Sequence, residues 1–167
     1  MTRNDIVDAL HALNNTLSER SVKGEICIYG GAAMCLVYNA RPSTKDVDAV
    51  FEPADVIRKA ALEVAQSRGL PEDWLNDAVK GFLEKHSKRI LMSFSHLKIY
   101  VPEPDYLLAM KALASRVDGA DKGDILLLIR NMGLQSPDEV FKVLEKYYPL
   151  RRIRPATQFF IEELFEK

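Results

Sequence analysis

The hydrophobic pattern divides the chain into a first half that mixes strand and helix periods and a second half that is helical throughout. Ile6, Leu10 and Leu13, with Val7 and Leu17, form one stripe at helical spacing and predict a helix over 4–19, capped by Asn4 or Thr2. Residues 25–29 (EICIY) are a short apolar run bounded by Gly24 and Gly30, the pattern of a buried strand. A helix rich in small residues is expected over 31–38. A polar loop follows over 39–45, where Pro42 forces Arg41 out of helical geometry. From Asp46 to Phe51, acidic and apolar residues alternate with period two, so the next strand carries Val47 and Ala49 on the face opposite its aspartates.

Downstream, the spacing predicts a helix over 54–68, a break at Gly69-Leu70-Pro71 and a shorter helix over about 73–83 that carries Trp74. Strands are expected over 89–93 and 97–101, meeting near Ser95 and His96. The remainder reads as helices over 105–117, 121–131, 136–147 and 156–167. The third of these opens on a capping box, Ser136 to Glu139, with Pro137 at its first position. Ile125 to Ile129 is apolar at every position, which calls for burial on nearly all sides. Strands interleaved with helices, followed by helices alone, indicate an α+β fold with a mixed sheet and a helical C-terminal half. The expectation is one domain over 1–167, with a sheet-containing part at about 20–101 and a helical part at about 103–167. No repeat, low-complexity tract or long linker divides it.

Composition alters this picture little. A chain of 167 residues, 47% hydrophobic and 28% charged, is ordinary for a globular protein with a substantial core. The net charge of -1 gives no global footprint for nucleic acid, so any such contact needs a local patch. One candidate patch is Arg151, Arg152 and Arg154 beside Tyr147 and Tyr148, where arginines grip a phosphate backbone and aromatic rings stack on bases, or simply finish a helix and solvate a loop. Cys27 and Cys35 form no metal-ligand or redox motif and read as buried free thiols. No run approaches the roughly 20 apolar residues of a membrane span, and the first residues lack a signal-peptide core; a cytoplasmic protein is expected.

The chemistry concentrates between Gly24 and Phe51. Gly30 and Gly31 let the backbone come close to a ligand and open a helix whose first N–H groups favour an anion. Asp46 and Asp48, two residues apart on a strand, project from one face and can converge on a hard cation. A phosphate site and a metal site on consecutive elements suggest metal-assisted phosphoryl or nucleotidyl chemistry. The alternative is a glycine-rich turn and two solvated strand-edge aspartates.

At these residues the sequence resembles the nucleotidyltransferase superfamily with the DNA polymerase β-like fold, whose pattern is a hydrophobic strand, Gly-Gly or Gly-Ser, a helix, then Asp-x-Asp. More narrowly, GGAAM with ARPSTKDVDAVF is similar to AbiEii-type toxins and their small bacterial relatives, with Arg41, Ser43, Thr44, Asp46 and Asp48 at the corresponding places. A looser match extends to Lys111 and Arg116 on one predicted helix and to Asp121 and Asp124 at the start of the next.

The resemblance implies a nucleotidyltransferase-like sheet with flanking helices that moves a nucleotide monophosphate from a nucleoside triphosphate to a hydroxyl of tRNA or of a protein. By the same resemblance, the setting would be a toxin–antitoxin or phage-defence pair, with a cognate antitoxin or a second copy as partner and no membrane. Gly30 and Gly31 would hold the triphosphate, Asp46 and Asp48 would bind Mg²⁺, and Lys111 would neutralise phosphate charge. Arg41 and Thr44 would hold the loop or touch the nucleotide; Asp121 and Asp124 would cap their helix, position Lys111 or Arg116, or touch the metal site.

The sequence departs from the family at a third carboxylate, which active members carry on a later strand. The corresponding strand, 95–101, has no Asp or Glu, and Tyr100 stands at the aligned position. His96 is the candidate replacement base, because imidazoles as a class titrate near neutrality, or else a satisfied structural histidine; Glu103, just past the strand, is another candidate. Without that acid, a catalytically silent nucleotide-binding or protein-interaction module of the same fold is the competing expectation. An antitoxin-like protein that binds through its apolar C-terminal helix is a further one.

Overall fold

The computed structural model describes residues 1–115 and 119–166. The expected helix end at Arg116 and Val117, and Lys167 at the last helix, lie outside these. The fold is α+β, with seven α-helices and a five-stranded mixed sheet among the described residues and a helical C-terminal half. The chain divides into two compact units, residues 1–83 with 88–102, and residues 84–87 with 103–167.

The first unit holds the whole sheet. In chain order it runs α1 (Arg3–Glu19), β1 (Gly24–Tyr29), α2 (Gly30–Val37), β2 (Val47–Glu52), α3 (Ala54–Arg68), β3 (Leu75–Asn76), β4 (Lys88–Ser93) and β5 (Leu97–Pro102). The strand order is β3-β2-β1-β5-β4. β1 is central, antiparallel to β2 and parallel to β5; β3 lies parallel to β2, and β4 antiparallel to β5. Ile26, Ile28, Val47, Ala49, Leu97, Ile99 and Val101 share one face and are fully buried. On that face α1 and α3 pack against each other, α3 reaching β2 and α1 reaching β5. Gly24 is closely packed there: a methyl group on it would come 2.8 Å from Ile57 Cδ1, which would have to shift. The opposite face carries the alternate positions, among them Glu25, Asp48, Glu52, Lys98 and Tyr100, all exposed or half-buried.

Thr2 provides the cap of α1, with Asp5 completing a capping box, and Leu10, Leu13 and Leu17 are buried as the stripe requires. Cys27 and Cys35 are buried free thiols.

The expected helix over 73–83 does not form. Trp74 is fully buried and its Nε1 donates to Ala61 O at 2.9 Å, while Trp74 O accepts from Val47 N at 2.7 Å. That anchoring draws Leu75 and Asn76 alongside β2 as β3, and only a 3-10 turn over Ala78–Phe82 remains of the helix. A buried indole with a satisfied N–H outweighs the weak local preference of this segment.

The second unit is built from α4 (Pro104–Ala114), α5 (Ala120–Asn131), α6 (Pro137–Glu145) and α7 (Pro155–Glu163). Tyr106 and Tyr148 are fully buried at its centre with their hydroxyls 2.8 Å apart. Residues 84–87 join this unit: Glu84 N donates to Tyr106 Oη at 2.9 Å, and the His86 ring stacks on Tyr106 at 4.0 Å. α5 is two-sided rather than buried all round, because Ile125, Leu128 and Ile129 face the core while Leu126 and Leu127 are half-exposed. Phe159 on α7 is exposed, and Ile161 is its buried anchor. No helix among the described residues is long and apolar enough to cross a membrane.

Candidate functional site

β1 ends directly in the Gly30-Gly31 turn that opens α2. Tyr29, the residue before α2, is extended and provides no side-chain cap, so the first N–H groups of the helix are left to other partners. Gly30 has φ +62°, and a Cβ there would sit 2.9 Å from Asp48 Oδ2. At Gly31 a Cβ would sit 2.8 Å from Thr44 Oγ1 and 3.1 Å from Arg41 Nη1. The absence of two side chains is thus what lets Asp48, Thr44 and Arg41 close on the turn. Antiparallel register explains the meeting: Tyr29, the last residue of β1, is paired with Asp48 near the start of β2.

The loop between α2 and β2 is held at several points. Ala40 N donates to Met34 O at 3.2 Å, Thr44 N to Met1 O at 2.8 Å, and Thr44 Oγ1 to Asp46 O at 3.3 Å. Asp46 lies just before β2 and Asp48 within it; both are half-buried. Burial raises the Asp46 carboxyl above the usual range, the negative charge of Asp73 adds to this, and Lys45 opposes it. Asp73 therefore shares the electrostatic environment of the site, although it lies in a segment expected to be a plain helix.

The Asp48 carboxylate occupies space that a Cβ on Gly30 would fill, and Asp46 precedes it by two residues in the sequence. Among the described residues no group of three or more His, Cys, Asp or Glu side chains is gathered to hold a metal.

Within the first unit, His96 lies elsewhere. His96 precedes β5 and its carbonyl accepts from Gly24 N at 2.8 Å, at the start of β1. The glycine turn is at the other end of that six-residue strand, roughly 20 Å away, so His96 is not brought to the aspartates. Its Nδ1 lies 2.9 Å from Ser95 Oγ, and its N–H donates to Asn14 Oδ1 at 2.8 Å, which fastens the β4–β5 turn to α1. It borders a cavity of about 390 Å³ lined also by Lys23, Glu25, Glu52 and Lys98. Tyr100 shares the face of Asp48 but is in register with Cys27, two residues short of Tyr29. Its hydroxyl leans toward Glu25 at 3.5 Å, and Lys88 Nζ lies 4.3 Å from its ring centroid.

In the second unit Lys111 is buried and its charge is taken up by Asp124 at 2.8 Å and Asp121 at 3.3 Å. Glu103 precedes α4. Arg151, Arg152 and Arg154 are exposed, with Arg152 5.2 Å from the Tyr148 ring centroid.

Asn76 went unnoticed in the sequence. It is paired with Asp48 in the β2–β3 register and so shares its face. The only signal was its position in a Trp-Leu-Asn-Asp run whose tryptophan had to be buried. Compared with known proteins, the chain matches no family model, no curated protein and no solved structure.

Proposed function

We propose that the first unit is a Mg²⁺-dependent nucleotidyltransferase centre that binds a nucleoside triphosphate and passes its nucleotidyl group to a hydroxyl of tRNA or of a protein. One observation carries this reading: the Gly30-Gly31 turn is closed over by Asp48, Thr44 and Arg41, so that a Cβ on either glycine would force one of these side chains to shift. An uncapped helix start beside a guanidinium suits a polyphosphate, and two adjacent carboxylates suit the cation that accompanies one.

In this reading Asp46 and Asp48 hold the cation. Bound there, Mg²⁺ supplies charge neutralisation at the phosphates and at the departing pyrophosphate. The N–H groups at the start of α2 receive phosphate oxygens, Arg41 adds a positive charge, and Thr44 fixes the loop through its bond to the Asp46 carbonyl. The acceptor oxygen forms a bond to the α-phosphorus as the bond to pyrophosphate breaks, and the hydroxyl proton passes to solvent or to a group of the acceptor. His96 has no part in that proton transfer, given its place at the opposite end of β1. A toxin–antitoxin or phage-defence setting, with a cognate antitoxin or a second copy as partner, belongs to the same proposal.

A second reading keeps the nucleotide and drops the reaction. It is favoured by Tyr100, which stands on β5 where a third acid is expected and is engaged with Glu25 and Lys88 instead. Calorimetric titration of ATP, CTP, GTP and UTP, with and without Mg²⁺, on the native chain and on Asp46→Asn/Asp48→Asn tests both. Metal-dependent binding lost in the double variant supports the site, and transfer of labelled nucleotide then separates enzyme from silent binder. No binding of any nucleotide by the native chain overturns both readings.

A further inference from the structure

The end of the sheet away from the glycine turn holds a cavity of about 390 Å³ in the first unit, lined by Lys23, Glu25, Glu52, His96 and Lys98. Phe94 and Pro53 add an apolar wall to it. Its floor is fastened from below. His96 N donates to Asn14 Oδ1 at 2.8 Å, and Gly24 N donates to His96 O at 2.8 Å. Asn14 is itself buried, and its Nδ2 donates to Ser95 Oγ at 3.4 Å. Ser95 Oγ in turn lies 2.9 Å from His96 Nδ1, so Nε2 is the ring nitrogen left for a ligand. The Phe94 ring is held 4.3 Å from that of His11 and stays half-exposed.

The charges around this floor are not matched within the protein. Glu25 is in register with Lys98 on β5 and with Glu52 on β2, so the three side chains form one row across the sheet. Glu25 nevertheless makes no ion pair with Lys98; its carboxylate is 3.5 Å from the Tyr100 hydroxyl instead. Among the described residues no ion pair involves Lys23, Glu25, Glu52 or Lys98. Two like charges directly opposite on antiparallel strands cost stability, and a positive group placed between Glu25 and Glu52 relieves that cost.

We propose that this cavity binds a small zwitterion, an α-amino acid with an apolar side chain. The ammonium group lies against Glu25 and Glu52, the carboxylate meets the cationic side formed by Lys23, Lys98 and His96 Nε2, and the side chain packs on Phe94 and Pro53. A simple cation would face two lysines and a simple anion two glutamates, so a ligand of both signs is selected. The volume is in the range of small-molecule sites. This site is separate from the Gly30-Gly31 turn and does not depend on the nucleotidyltransferase reading.

The test is an NMR titration of the full chain with L-leucine and L-phenylalanine, following the His96 Cε1 proton, assigned by its absence in His96→Gln. L-leucine methyl ester, which lacks the carboxylate, and N-acetyl-L-leucine, which lacks the ammonium group, are the comparison ligands. At least one amino acid should shift the proton saturably, and both leucine derivatives should bind about tenfold more weakly than L-leucine, as the loss of a charge-assisted contact requires. Glu52→Gln and Lys98→Met should each weaken the amino acid several-fold; both side chains are exposed, and Trp74 fluorescence checks that the variants fold. The proposal is overturned if neither amino acid gives a saturable shift. It is equally overturned if a derivative binds as well as L-leucine, or if both variants keep native affinity.

Discussion

Alanine at Gly30 should damage the site beyond what its backbone conformation explains, and Gly69 supplies the reference. Both glycines are left-handed, at φ +62° and +67°. A Cβ at Gly69 meets nothing within 4 Å, so Gly69→Ala isolates the conformational cost, about 1–2 kcal/mol. Gly30→Ala carries the same cost and in addition sets a methyl group 2.9 Å from Asp48 Oδ2, inside ordinary contact distance. The carboxylate is at the end of a short side chain on a strand, so relief requires it to rotate away from the turn. Losing one of two carboxylates should weaken a divalent cation by about tenfold or more, equivalent to at least ~1.4 kcal/mol. Gly31→Ala separates the remaining effect: its φ is not left-handed, and its methyl group would press on Thr44 and Arg41 instead. Nucleotide binding should suffer there more than binding of the bare cation. Urea unfolding followed by Trp74, the only tryptophan and a fully buried one in the first unit, gives the stabilities; Mn²⁺ titration gives the affinities. If Gly30→Ala matched Gly69→Ala in stability and left Mn²⁺ affinity intact, the link between turn and carboxylate would be refuted.

Three further outcomes follow from charge and burial. Asp46→Asn should stabilise the cation-free protein at pH 7: a carboxyl whose folded pKa is raised by burial and by Asp73 weakens the fold while ionised. The gain should shrink as pH falls and vanish below about pH 4, where the unfolded acid is also protonated; a pH-independent difference would contradict this. For Asp105, burial opposes the charge, but hydrogen bonds from Tyr147, Lys146 and the Tyr106 backbone outweigh it and lower the pKa. Its contribution is then present above the unfolded value of about 4 and lost as pH falls through the lower folded value, so Asp105→Asn should flatten the acid limb of helix loss read by circular dichroism. Lys111→Met leaves Asp124 buried without its cation and should cost about 3–5 kcal/mol, measured by the same signal in urea; a loss below about 1 kcal/mol would show that the pair is not what holds α4 to α5.

The parts of the site that were legible in the sequence are those set by local chemistry. Glycine at positions 30 and 31 marks a strand-to-helix turn because other residues resist that backbone, and alternation around Asp46 and Asp48 marks a strand with one polar face. What the sequence could not supply was register. His96 was attractive because an imidazole can stand in for an acid, but the bond from Gly24 N to its carbonyl puts it at the start of β1, and Tyr100, at the aligned position, pairs with Cys27 in the middle of that strand. The same limit hid Asn76. A strand of two residues has no periodicity to read, and it exists only because Trp74 finds a carbonyl partner on α3, which no local pattern encodes. Long-range burial thus selected which polar side chain stands beside Asp48.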